Sequence, residues 1–233
     1  MEKPSRPLQI LNIITLAQMV IAAGLVFLYA PRERVMGDVQ RIFYFHVPSA
    51  WVGFLAFFVT LVAGIAYLRT GRHNWDRLAA VSVEIGLLFT MMTIISGSIW
   101  ARPAWNTWWT WDPRLTTYTI LALIYVAYLM LRQGIEDPGR RARLAAVYGI
   151  LGFISVPITF FSIRWWRTIH PVVIGGGSPT AEGGFDMTSP MKVVFFFSLF
   201  AFTVLYFCFL ANRLRLERLA EHVEQLKARW LSA

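Results

Sequence analysis

Charge is scarce in this sequence: 15% of its 233 residues are Asp, Glu, Lys or Arg, against roughly 25% in soluble domains. That leaves too little polar surface for a water-soluble fold of this size. Cysteine is nearly absent. The single Cys208 excludes an intrachain disulfide and any Cys-x-x-Cys pair. Thiol or thioether chemistry would therefore draw its sulfur from another chain, and Cys208, inside an apolar run, reads as a small buried hydrophobe. Gly175-Gly176-Gly177 lacks the Gly-Lys-Ser/Thr ending of a phosphate loop, so an ATP-driven step would belong to another subunit. No serine–histidine–acid pattern or metalloprotease motif occurs. The formal charge of +9 would suggest nucleic acid in a soluble protein. No basic, aromatic-interleaved soluble segment is present to bind it, which excludes that class.

Apolar residues make up 57% of the chain, and mean hydropathy is +0.53. They fall in long runs, so the bilayer is the solvent. Six runs reach the roughly 20 residues that cross about 30 Å of hydrocarbon: residues 8–30, 48–68, 78–101, 115–131, 144–163 and 191–211. Backbone groups in lipid must be satisfied within each segment, so all six are expected to be helices. The fold class is an all-α integral membrane protein, a six-span bundle surrounded by membrane lipids. The first run is long and lacks a small-residue cleavage site, and it reads as an anchor. Pro157 predicts a kink in the fifth span.

Basic residues orient the bundle. Fourteen fall on the side that carries both termini and the second and fourth loops, against eight on the other. The richer side is expected to be cytoplasmic, with both termini inside. Eight basic residues resisting this bias suggest local work on the outer side, such as pairing with an anionic ligand. The glycines at 175–177, with Gly183 and Gly184, read as a flexible outer loop. Residues 212–233 form a separate cytoplasmic tail after the domain of residues 1–211. In it Leu216, Leu219, Val223, Leu226 and Trp230 follow a heptad stripe. A helix on the membrane surface and one docked on a cytoplasmic partner both fit this stripe. Glu84, inside the third span, serves a function at depth, reaches the cytoplasmic interface or pairs with Arg77.

The densest feature is the loop after the third span. Trp100, Trp105, Trp108, Trp109 and Trp111 fall within twelve residues. An interfacial aromatic belt puts one or two tryptophans at a helix end. A loop built of them suits a large, flat, apolar ligand. Four histidines are present. His73 and His222 lie in charged cytoplasmic segments and read as solvated. His46, closing the first outer loop, and His170, in the last, flank the tryptophan loop, and each is followed closely by proline, Pro48 and Pro171. Neutral imidazole is the usual axial ligand of haem iron, so the pair could grip a macrocycle. Haem carries two carboxylates, which arginine binds through a bidentate fork. Arg41 and Arg114 are the candidate partners, while Arg164 and Arg167 flank Trp165 and Trp166. Lipid headgroups compete for some of these arginines. Asp112 reads as a structural partner, capping the fourth span or pairing with Arg114.

The stretch from Trp105 through Trp108, Trp109, Trp111 and Asp112 to Leu115 resembles the tryptophan-rich WWD signature of the haem-handling superfamily. The segment from Arg41 through His46 and Pro48 to Trp51 resembles its cytochrome c maturation protein C branch (CcmC), as does Trp165-Trp166-Arg167-Thr168-Ile169-His170. The similarity covers the chain to about residue 211. It implies a membrane subunit that binds haem b as transient cargo at the periplasmic face of the bacterial inner membrane. It also implies that this subunit works with ABC-type exporter subunits and a small single-span protein D, and that it passes haem to a periplasmic chaperone, protein E. The matching ligands are His46 and His170, with Trp105, Trp108, Trp109, Trp111 and Asp112 as the platform. Asn106 stands where the family pattern often has glycine, and Pro113 follows the aspartate. The tail looks like an addition.

The expected role is handling and not catalysis. Synthetases of this superfamily are longer and carry further histidines within spans, and b-type electron-transfer proteins place histidine pairs inside the bundle. No histidine falls inside a predicted span here. Translocation of haem through the chain stays open, because a site at the outer face fits a receiver or an exit gate.

Overall fold

The computed structural model describes residues 5–34, 36–172 and 187–231. Its helices are α1 (Arg6–Gly24), α2 (Phe43–Thr70), α3 (His73–Trp105), α4 (Pro113–Gln133), α5 (Pro138–Gly152), α6 (Ser155–Trp165) and α7 (Ser189–Leu231). A π-helical turn, Leu25–Tyr29, continues α1, and a 3-10 turn, Asp38–Ile42, leads into α2. Among the described residues, six helical segments are long and apolar enough to cross a membrane, with α5 and α6 together making the fifth.

The observed helices overrun the apolar runs at most ends. Helix α2 begins at Phe43, so His46 stands in its first turn and not in a loop. Packing explains the extension: Phe43 and Tyr44 are fully buried against Trp100, Val194 and Phe195, whereas hydropathy registers only what faces lipid. The fifth span is interrupted at Phe153 and Ile154. Pro157 has no N–H to give the carbonyl four residues back, and its ring crowds that carbonyl, so the helix parts at Phe153.

Caps fix the helix ends locally. Asp112 and Asp137 each accept a bond from a backbone N–H three residues on, and each precedes a proline at the first helical position. Gly71 closes α2 with φ +66°, a left-handed conformation that glycine adopts without steric penalty.

Helix α2 is the axis of the bundle, packing against α3, α5 and α7, while α1 lies on α7 and α4 on α3, α5 and α6. Helices α2 and α3 approach so closely that a Cβ at Gly86 would meet Phe57 at 2.8 Å. Phe57 in turn stacks on Tyr125 of α4, with ring centroids 3.6 Å apart. The exterior is apolar instead: Leu28 is 90% exposed, and Ile13, Leu16 and Phe196 are also exposed. Such a surface is stable only against lipid.

Ion pairs gather at the end of the bundle opposite the tryptophans. Asp76, only 3% exposed, receives two bonds from Arg132. Glu84 pairs with Arg213 at 2.9 Å, and Arg77 with Glu221. Arg77 is thus not the partner of Glu84. Helix α7 runs unbroken through position 211 to Leu231, and Glu221 binds it back to α3. His73 and His222 are exposed at this end. The glycines at 175–177, 183 and 184 lie outside the described residues.

Candidate functional site

A cavity of about 510 Å³ opens at the tryptophan-bearing end, within the range of small-molecule and cofactor sites. It is assembled from the segment before α2, from α2, α3 and α4, and from the segment after α6. His46, Trp100, Trp105, Trp109, Arg114, Tyr118 and His170 all line it.

Each lining group is held by a neighbouring element. His46 projects from α2 against α3, where its Nδ1 lies 3.0 Å from Ser96 Oγ. The edge of its ring meets Trp100 at a centroid distance of 5.8 Å. There is no side chain at Gly97 to keep the ring away, since a Cβ there would sit 2.8 Å from His46 Cε1. His170 follows α6. Its backbone N–H donates to Thr168 Oγ1 at 3.1 Å, and the buried Thr168 hydroxyl donates to Asp112 Oδ2. Asp112 Oδ1 meanwhile accepts from Leu115 N–H at 2.9 Å. One carboxylate therefore caps α4 and ties the His170 segment to it. The His170 ring faces Trp105 at 6.3 Å between centroids. Burial, and then the positive Arg114, hold its imidazole down at about 4. At neutral pH it is the uncharged form that a metal requires.

The tryptophan tract reverses direction at Asn106, whose φ of +55° is left-handed. Asparagine tolerates this conformation better than most residues, which accounts physically for its standing in a glycine position. Arg102 Nη1 donates to Asn106 O and Oδ1 at 2.7 and 2.6 Å, and Ser98 Oγ donates to Trp108 O at 2.8 Å. The reversal divides the tryptophans. Trp105 and Trp109 turn into the cavity, while Trp108 and Trp111 are 57% and 73% exposed.

The remaining candidates lie apart from the cavity wall. Arg41 donates to Phe27 O at 2.9 Å and pairs with Asp38, lining a separate hollow with Phe27 and Phe45. Trp165 and Trp166 are exposed, with Trp165 stacked on Phe161. Arg114 does reach the cavity, with its Nη1 donating to Thr159 O of α6. Sequence reading did not single out Ser96, Gly97 or Tyr118. The usable signal was Trp100, which lies one helical turn from Ser96 and Gly97.

The chemistry of the walls points to a flat ligand with polar edges. Two imidazoles can supply the axial positions of an iron whose other four ligands belong to a macrocycle. The indole Nε1 groups of Trp100 and Trp109 are buried with no hydrogen-bond partner among the described residues. Such orphan donors call for acceptors on a ligand. Arg114 adds a cation suited to carboxylates.

Fold and cavity define the class, a polytopic membrane protein with an aromatic, two-histidine chamber at one end of its helix bundle. The family model for Heme exporter protein C matches residues 2–229, a match that includes most of the tail. The chain is 33% identical to the Heme exporter protein C of Bradyrhizobium diazoefficiens over 198 residues, covering 85% of this chain and 74% of that protein. It is 32% identical to the Haemophilus influenzae protein of the same name over 221 residues, covering 94% and 87%. It is also 34% identical to a putative cytochrome c biosynthesis ccmC-like mitochondrial protein of Marchantia polymorpha over 141 residues, covering 60% and 59%. The chain belongs to the Heme exporter protein C family.

Proposed function

We propose that the chain holds haem b as transient cargo in this cavity, at the periplasmic face, and delivers it to a periplasmic haem chaperone during cytochrome c biogenesis. His46 and His170 supply the axial ligands. Trp105 and Trp109 flank the macrocycle, and Arg114 meets a propionate. Asp112 acts through Thr168 to hold the His170 segment. Trp108, Trp111, Trp165 and Trp166 are exposed at the same end and form the rim over which an acceptor would approach. Arg41 braces the first outer segment. The chain is a handling subunit and not an enzyme, working beside ABC-type exporter subunits and a small single-span protein D, with both termini cytoplasmic.

One observation carries this reading: two histidines 124 positions apart in sequence line one aromatic cavity. The names of the relatives support it, since they speak of haem export and cytochrome c biosynthesis. The test is the absorption spectrum of the protein purified from membranes and loaded with haem. The wild type is expected to show a low-spin bis-histidine spectrum. His46→Ala and His170→Ala are each expected to abolish it and to reduce transfer sharply. A double variant whose haem spectrum equals that of the wild type would overturn the assignment.

A further inference from the structure

The two histidines present their ring nitrogens differently. His170 Nδ1 lies 3.1 Å from the carbonyl of its own neighbour, Pro171. His46 Nδ1 lies 3.0 Å from a side chain on another helix, Ser96 Oγ. The Ser96 hydroxyl has one proton, and the Met92 carbonyl takes it at 2.7 Å, with Thr93 O further off at 3.3 Å. The oxygen left facing His46 can then only accept. Nδ1 must carry the hydrogen, and Nε2 keeps its lone pair.

We propose that Ser96 is a positioning residue for haem ligation. It fixes His46 as the Nδ1–H tautomer, aims Nε2 into the cavity and strengthens it as an iron donor. The inference rests on the function proposed above. Its physical basis is that an acceptor on the far nitrogen draws the N–H proton away and makes the ligating nitrogen more basic. Helix α3 transmits this from within: the Ser96 hydroxyl is oriented by the carbonyl one turn earlier, so the ring angle follows α3. Its counterpart on His170 is a backbone carbonyl. Ser96 is thus the side chain through which the donor strength of this ligand pair can be tuned.

The experiment uses full-length protein loaded with haem, comparing wild type, Ser96→Ala and Ser96→Thr. Ser96→Ala should keep the low-spin spectrum, bind haem about tenfold more weakly and raise its midpoint potential, because a weaker donor stabilises ferric iron less. Ser96→Thr, which keeps the hydroxyl, should restore both. In the His170→Ala background, where His46 alone binds, the ferrous iron–imidazole stretching band should fall in frequency on adding Ser96→Ala. An unchanged potential and an unchanged band in Ser96→Ala overturn the proposal while leaving the bis-histidine site intact. So does a Ser96→Thr protein indistinguishable from Ser96→Ala. A wild type without any histidine-dependent spectrum removes the underlying function and this proposal together.

Discussion

A methyl group placed on Gly97 would stand 2.8 Å from His46 Cε1 and 3.4 Å from Nδ1. Gly97→Ala therefore requires the imidazole to retreat by roughly 0.6 Å to reach ordinary contact at 3.4 Å. The ring has little room to do so, being bonded to Ser96 at 3.0 Å and set edge-on against Trp100. Alanine is about 1 kcal/mol better than glycine within a helix, and overpacking costs about 1–3 kcal/mol. The fold should be destabilised by about 2 kcal/mol at most. Haem binding should suffer more, because the displaced atoms belong to the proposed ligand itself. A ring turned away from the iron axis is expected to lower affinity by about 10–100-fold, or roughly 1.4–2.8 kcal/mol. Gly86→Ala is the matched control: its Cβ would meet Phe57 at the same 2.8 Å, at a residue outside the cavity lining. It should lower the unfolding temperature without weakening haem binding. The assay is haem titration in detergent micelles, followed by absorbance, beside thermal unfolding of each variant. Equal haem affinity in Gly97→Ala and wild type would refute the reasoning, as would an equal loss in Gly86→Ala.

Three further outcomes are expected. Asp112→Ala loses an N-cap worth about 1 kcal/mol and a charge-assisted bond from Thr168 worth about 1.5–3 kcal/mol. It should loosen haem binding, with Asp112→Asn closer to wild type in the same titration. Asp76→Ala strands Arg132 without its buried carboxylate and should destabilise by about 3–5 kcal/mol, visible as a lowered unfolding temperature with the haem spectrum unchanged. Asn106→Gly should cost about 1 kcal/mol or less, since φ +55° suits glycine and Arg102 loses its exposed bond to Oδ1 but keeps the one to the backbone carbonyl. Asn106→Val should reduce haem loading, because a β-branched residue is strained there.

The six spans were legible because lipid-facing hydropathy is a direct property of the residues. Pro157 announced its break for the same local reason. The inward ends were not legible. Gln40 and Arg41 read as loop, yet they belong to a turn that runs into α2 because Phe43 and Tyr44 find partners on α3 and α7. Glu84 shows the same limit: its partner, Arg213, is 129 residues away in sequence. At the site, the histidine pair stood out against the tryptophan tract. Which tryptophans turn inward depends on the reversal at Asn106, and sequence reading saw that residue only as a departure from pattern. Ser96 and Gly97 were hidden in an apolar run, since their role appears only when α2 lies against α3.

The gap in the fifth span has a mechanical meaning. Helix α5 is packed on α2, the axis of the bundle, whereas α6 rests on α4 and leads into the His170 segment. Two residues outside any helix join them. A pull on His170 is therefore delivered first to α4, through Asp112 and through the carbonyls that hold Arg114, and reaches the central axis through ring contacts, Phe54 with Phe160 of α6 and Phe57 with Tyr125 of α4. The arm that bears His170 is thus joined to the post that bears His46 by ring contacts, and a tug on the one is softened before it reaches the other.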